Sequence, residues 1–262
     1  DWKLFRTVDV GAWKSAWIAS DGSGNIRLLI SVDRELYDSF VDDFGYISTT
    51  FPSEKRKNLL DEIFVRESEL FSRRMKKLVG FNNSNVAQVF DFHRDERGQP
   101  VAIMEYCAGD SVGVALKRSP ALLFLAHFKQ VFEALDAIHD RGQLVLHWKP
   151  KFIVTDVIEG ITKIANVWNI HTTEEIENKK LVLNQMYASP EALLGENVDV
   201  RSDLYSVALI MFETWGNYAS PAFSLSRLFN DNDKTDVIRE ALEKEREPGL
   251  MGRMSTYVEP EL

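Results

Sequence analysis

The segment Ser202–Trp215 is apolar around almost its whole circumference, and it limits what this chain can fold into more than any other stretch. A helix with one apolar stripe lies on a surface, whereas one that is apolar all round has to be enclosed by protein or by lipid. No run of about 18 or more apolar residues occurs in the chain, so the lipid alternative lapses. The segment therefore predicts a central helix inside a large core. The chain's 262 residues, 45% hydrophobic and 11% aromatic, suffice for one large domain or two lobes and exclude a disordered chain.

The patterning changes along the chain. Leu4 to Val10, Ala16 to Ala19 and Ile26 to Val32 alternate apolar and polar residues and predict strands, with Asp21-Gly22-Ser23-Gly24 as a hairpin turn. Ser53 to Leu78 carries Leu59, Leu60, Ile63, Leu70 and Met75 broadly at helical spacing and predicts one long helix, N-capped by Ser53. Val86 to Phe92 and Val101 to Tyr106 predict a second strand pair, joined by Asp95-Glu96-Arg97-Gly98. From Ser111 onward the pattern is mainly helical. Leu122 to His139 places Leu125, Phe128, Val131, Phe132, Leu135 and Ile138 on one stripe, and two short strands follow at Phe152 to Thr155 and Thr162 to Ala165. Strands with one helix, then a mostly helical half, predict an α+β architecture of two lobes.

Charge and cysteine usage narrow the function. A net charge of -9 argues against nucleic acid or an anionic membrane as partner, and Arg73-Arg74 with Lys76-Lys77 reads as the solvated face of a helix. The single cysteine, Cys107, excludes an internal disulfide framework and a cysteine-based zinc spacing. Asp1-Trp2-Lys3-Leu4-Phe5 lacks the pattern of a signal peptide, and the expected location is the cytoplasm, as a free protein or a cytosolic domain of a larger one.

Four segments then carry a resemblance. They are Ile103-Met104-Glu105-Tyr106-Cys107-Ala108-Gly109, Gly142-Gln143-Leu144-Val145-Leu146-His147-Trp148-Lys149-Pro150-Lys151-Phe152-Ile153-Val154, Tyr187-Ala188-Ser189-Pro190-Glu191 and Ser202-Asp203-Leu204-Tyr205-Ser206-Val207-Ala208. In order and separation they resemble the hinge, catalytic loop, activation-segment end and buried helix of the protein kinase family, from about Phe5 to Trp215. The resemblance implies a two-lobed protein-kinase-like fold. Its small antiparallel β lobe with one long helix spans 1–106, with an insertion near 33–52. Its mainly helical lobe spans 107–262 and is expected to be abbreviated after 202–215, where Thr235 to Arg246 is the one convincing helix. It further implies that Met104 is the gatekeeper, that backbone at Glu105 and Cys107 would meet adenine, and that Asp203 holds the catalytic-loop backbone, with His139 a structural histidine.

Kinase chemistry depends on a few positioned groups, and the resemblance assigns a slot to each. The glycine loop corresponds to Asp9-Val10-Gly11-Ala12-Trp13-Lys14-Ser15-Ala16 and keeps only Gly11. Asp9 and Lys14 stand at the outer glycines, and Lys14 is expected to be solvated. The phosphate-gripping lysine of the third strand becomes Ile30, with Leu28 over the adenine and Arg27 out of phase; Glu62, Glu67 and Glu69 then read as surface acids. The catalytic Asp becomes His147, the preceding Arg becomes Leu146 and the metal-ligating Asn becomes Phe152, while Lys149 is retained. The Asp-Phe-Gly metal site becomes Asn166-Val167-Trp168, and Val145 and Val167 keep apolar character where the family stacks its regulatory spine. His93-Arg94-Asp95 spells the catalytic triplet but lies in a turn, without the Lys-Pro and Asn that should follow. Thr172 and Thr173 are not expected to serve as activating phosphosites, because Leu146 removes the receiving Arg.

The expectation is therefore a pseudokinase, a kinase-like domain that is not an enzyme, with no metal site and no cofactor. Gly11, Met104, Glu105, Cys107 and Lys149 would line a vestigial nucleotide cleft that binds Mg-ATP weakly or not at all. Its role would be that of a scaffold or allosteric regulator for a protein partner, such as an active kinase or signalling protein. Two alternatives stand beside it: an atypical phospho- or nucleotidyl-transferase using His147 and Lys149, and a metal-independent nucleotide sensor.

Overall fold

A computed structural model describes residues 2–8, 14–34, 53–178, 183–184 and 186–216. The chain divides into two compact units, Asp1–Ala108 with Ala165–Asn169, and Gly109–Ile164 with Ile170–Leu262. The architecture is α+β, an antiparallel sheet with one long helix in the first unit and mostly helices in the second.

In the first unit, strands β1 (Lys3–Thr7), β2 (Lys14–Ser20), β3 (Ile26–Val32), β4 (Val89–Arg94) and β5 (Pro100–Glu105) form an antiparallel sheet in the order β1-β2-β3-β5-β4. Period-two alternation puts Ala16 and Ile18 opposite Ile30 and Leu28, and those opposite Ala102 and Met104, so one face of the sheet is apolar. All six are buried, Ile30, Ala102 and Met104 completely. Helix α1 (Ser53–Leu78) packs on the sheet and contributes Phe71, Met75 and Leu78 to the core.

The turns follow from local chemistry. The Asp21 carboxylate accepts from the backbone N–H of Ser23 and of Asn25, both at 2.9 Å, and Asp95 does the same for Arg97 and Gln99. Strand β4 starts at Val89 rather than Val86. The Asn83 side chain accepts from Asn85 N at 2.8 Å and its carbonyl from Val86 N, so a turn occupies the first residues of the expected strand.

In the second unit, β6 (Asp110–Ser111), β7 (Ile153–Asp156) and β8 (Ile161–Ile164) form a small sheet, with the short helix α2 (Val112–Ala115) after β6. Helix α3 (Ala121–His139) lies against β8. Thr162 ties the two together: its N–H donates to Gln130 Oε1 at 2.8 Å, and its hydroxyl meets His127 Nδ1 at 2.8 Å. Short helices α4 (Thr173–Glu177) and α5 (Pro190–Leu194) precede α6 (Val200–Gly216). Helix α6 buries Asp203, Ser206, Val207 and Ile210 against α2 and α3. Leu204 and Trp215 remain exposed among the described residues, so all-round burial of this helix is corrected: those neighbours cover only part of its circumference.

The expected insertion from 35 onward, the abbreviated end with Thr235 to Arg246, and the Gly11 loop lie outside the described residues, as does the side chain of Ser53. No helix among the described residues is long and apolar enough to cross a membrane.

Candidate functional site

The loop from Leu144 to Phe152 is built around one carboxylate. Asp203, in the first turn of α6 and fully buried, accepts from Val145 N at 2.9 Å, Leu146 N at 2.7 Å and the Trp148 indole Nε1 at 2.7 Å. His139 Nε2, at the end of α3, meets its second oxygen at 2.9 Å. The donors leave no lone pair facing apolar surroundings, which is the condition for burying such a group. Leu146 adopts φ 55°, a left-handed conformation that leucine rarely takes, and His147 N closes back onto Val145 O at 2.6 Å. The backbone bonds to Asp203 on either side of this strained turn hold it in place.

Beyond the turn, His147 and Phe152 face each other with ring centroids 5.9 Å apart. Phe152 is buried in the helical turn Pro150–Phe152, whose N–H bonds to Lys149 O explain why β7 begins only at Ile153. The Lys149 ammonium lies 5.7 Å from the Phe152 ring centre, within cation–π range. Asn184 donates to Trp148 O at 2.6 Å and fixes the far side of the loop.

The segment after the loop is tied to the same framework. Thr172 and Glu175 form a reciprocal capping box at the start of α4, with Thr172 N donating to Glu175 Oε2 at 2.9 Å. Thr172 is fully buried in this role. Thr172→Ala is expected to lower stability by about 1 kcal/mol, read from a chemical denaturation midpoint. Tyr187 donates to Glu213 at 2.6 Å; burial and that neighbouring carboxylate hold its pKa far above the usual phenol value. Ser202 donates to Glu191, linking α5 to α6.

In the first unit, Ile30 lies fully buried at the centre of β3 and Met104 likewise in β5. Glu105 ends β5, its N–H donating to Gln88 O at 2.8 Å while its carboxylate accepts from Gln88 N; Cys107 is a half-buried thiol. Asn166 and Trp168 are buried, and Val167–Asn169 packs against α1. Arg27 stacks on Phe90 at 4.2 Å, on the sheet face opposite Ile30. His93 is exposed at the end of β4, and Asp95 serves the turn after it.

Two expectations are corrected here. Lys14 is not a solvated turn residue: it opens β2, half-buried, directly opposite Val32 and on the same sheet face as Ile30. Of Glu62, Glu67 and Glu69 on α1, Glu62 and Glu69 are exposed, but Glu67 is half-buried, one turn before Phe71 on the packed stripe. Its charge acts on Lys14. Desolvation lowers the Lys14 pKa to about 8, the Glu67 carboxylate opposes that shift, and Arg74 adds to it. The sequence missed this pair because Lys14 and Glu67 belong to different elements; the spacing of Glu67 to Phe71, a helical turn, was the available signal.

The folded pKa of about 8 lies below the usual 10.5, so the unfolded chain binds more protons between these values. The charge costs stability below pH 8, and the cost is relieved as pH rises toward 10.5. Between about pH 7.5 and about pH 10 the unfolding free energy should gain roughly 1–3 kcal/mol relative to Lys14→Met measured alongside. Equal pH dependence in both would contradict the burial.

No protein-family model matches the chain. The chain is 29% identical over 163 residues to a probable serine/threonine-protein kinase of Clostridium acetobutylicum, covering 58% of this chain and 23% of the relative. It is 26% identical over 208 residues to serine/threonine-protein kinase A of Synechocystis, covering 73% and 38%, and 29% identical over 192 residues to serine/threonine-protein kinase PksC of Streptomyces coelicolor, covering 68% and 33%. The chain is protein kinase-like. It spans well under half the length of each of these relatives.

The relatives overturn one expectation. That the chain is not an enzyme was inferred from substitutions at Ile30, His147, Phe152 and Asn166, yet the proteins that align with most of it are named as kinases. Substitution at these slots describes the loss of one ligand set, and a cation or base contributed from another position leaves no mark there. Lys14 lies on the Ile30 side of the sheet, within the electrostatic influence of Glu67.

Proposed function

We propose that this is a regulatory protein kinase-like domain that binds a nucleotide with little help from a divalent cation. It passes that occupancy on to a protein partner, such as an active kinase or another signalling protein. The carrying observation is the loop held by Asp203, whose base and metal slots are occupied by His147 and buried Phe152, 5.9 Å apart. Phe152 has no lone pair to offer a cation, and Asn166, taken by itself, is a neutral donor, weaker than carboxylate for magnesium. Neither residue supplies the carboxylate oxygen that magnesium favours.

Thermal unfolding of the chain with ATP, with and without Mg2+, tests this reading. Ligand at about 100 times its Kd stabilises by about 2.7 kcal/mol, several degrees in Tm, and the shift should be similar in both conditions. A shift that requires Mg2+, or none with either, contradicts the reading. A candidate partner kinase should change in activity when this domain is added, more so with ATP than without.

The kinase names of the relatives support a second reading, a phospho- or nucleotidyl-transferase in which His147 accepts the proton and Lys149 supplies positive charge. Transfer of phosphate or AMP that His147→Ala abolishes would establish it over the first.

A further inference from the structure

Helices α3 and α6 of the second unit run antiparallel. The Phe124 and Trp215 rings meet edge to face at 5.0 Å at one end, and His139 bonds to Asp203 at the other. A groove of about 830 Å³ lies beside them, walled by Leu125, Phe128 and Phe132 on α3 and by Val200, Leu204 and Met211 on α6. Phe128 is buried, whereas Leu125, Phe132, Val200 and Leu204 are each between 36% and 46% exposed. Large apolar side chains on both walls of one groove form a patch, unlike the scattered single ones that any surface carries.

Charge on the α3 wall is one-sided. Lys129 is paired with Glu133 at 3.3 Å, one turn on. Asp136 and Asp140 follow, a turn apart and both exposed, at the C-terminal end of the helix. Carboxylates at i and i+4 repel each other, and anions oppose the negative end of a helix dipole. His139, the basic residue of that last turn, is engaged by Asp203, and Arg201 at the head of α6 is engaged by Asp199 at 2.7 Å. The acidic pair thus opposes its own helix and gains when an outside cation reaches it.

The walls also decide the form of what fits. They are side chains of two helices whose backbone groups are bonded within each helix, so they offer no ladder to an extended segment. A chain buried there has to satisfy its own backbone, and a helix does so. From Leu125 to Asp140 the α3 wall is about 22 Å long, or about four helical turns.

We propose that this groove is a docking site for an amphipathic helix of a partner protein, with apolar residues at i, i+4, i+7 and i+11 and Lys or Arg at one end. Its apolar stripe covers Leu125, Phe132, Val200 and Leu204, and its basic end lies beside Asp136 and Asp140. The assignment rests only on the partner-binding part of the reading above, since docking here involves no nucleotide. An anionic membrane would bring its own charge against the acidic pair and does not fit.

The test is fluorescence anisotropy of the full chain with two labelled peptides of about 16 residues, four helical turns. One carries leucine at i, i+4, i+7 and i+11 with three arginines at one end; the other has glutamates in place of the arginines. The arginine peptide should bind, and the glutamate peptide about 10-fold more weakly or worse. Asp136→Lys/Asp140→Lys should reverse that order. Leu204→Gln should weaken the arginine peptide about 10-fold and leave Tm unchanged, as expected for an exposed position. Equal binding of the arginine peptide to the unaltered and charge-reversed chains would overturn the proposal, and so would binding of neither peptide. In that second case, a Tm lowered by several degrees in Leu204→Gln assigns the groove to residues of this chain after Gly216. A dimer in light scattering that the same substitution dissociates assigns it to a second copy. ATP titrated into the same samples keeps the readings apart: ATP binding without peptide binding removes the docking site and leaves the nucleotide reading standing.

Discussion

Asp203→Asn is expected to cost roughly 3–5 kcal/mol of unfolding free energy, enough to unfold much of the second unit at moderate temperature. The shape of the side chain barely changes, so the effect isolates charge and hydrogen-bond polarity. Val145 N, Leu146 N, Trp148 Nε1 and His139 Nε2 all point at the carboxylate. An amide presents one acceptor oxygen and turns two N–H donors toward groups that are themselves donors. At least one buried donor then loses its partner, and the positive-φ turn at Leu146 loses a tether. Urea denaturation followed by tryptophan fluorescence gives the number. A loss below about 1 kcal/mol would mean that the loop is held by its packing and not by Asp203.

Gly109→Ala should be of comparable size for a purely steric reason. Gly109 has φ +120°, and a Cβ placed there would lie 2.5 Å from Thr155 O and 2.7 Å from its carbonyl carbon. Both are backbone atoms of β7 and cannot rotate away. The conformational cost of about 1–3 kcal/mol for a non-glycine residue in such a region adds to the displacement of β6 from β7, for a total of roughly 3–5 kcal/mol. Gly160→Ala is the control: its φ is +68°, nothing lies within 4 Å, and about 1 kcal/mol is expected. Chemical denaturation of the two variants side by side separates close approach from conformational preference. Equal losses would show that contact with Thr155 contributes nothing.

These two positions differ in how far the sequence exposes them. Gly109 closes the Cys107-Ala108-Gly109 segment, and glycine there signals only a turn; the opposing Thr155 carbonyl is a tertiary fact. Asp203 is an acid inside an apolar helix, and a buried acid must have donors, so the resemblance of Ser202–Ala208 pointed to the loop as their source. The indole of Trp148 as a further donor was not legible, because an apolar side chain suffices to fill that position and only the geometry reveals the N–H.

Nearest-neighbour chemistry carries most of the fold. Period two and period 3.6 wrote β2, β3, α1 and α3 into the chain, a run apolar almost all round wrote α6, and Asp21, Asp95 and Asp156 hold their turns through side-chain bonds to backbone N–H groups two to four residues on. By itself, then, the sequence determined the element order, the α+β class and the kinase-like likeness. Only the tertiary structure decided that Ala165–Asn169 belongs to the first unit, that Thr172 is a buried cap, and that Lys14 shares a sheet face with Ile30 and the influence of Glu67. Local patterns fix which face a residue takes along its own strand or helix. Which residues of distant elements meet on that face depends on strand register and helix rotation, and those are set by the packing of the whole core.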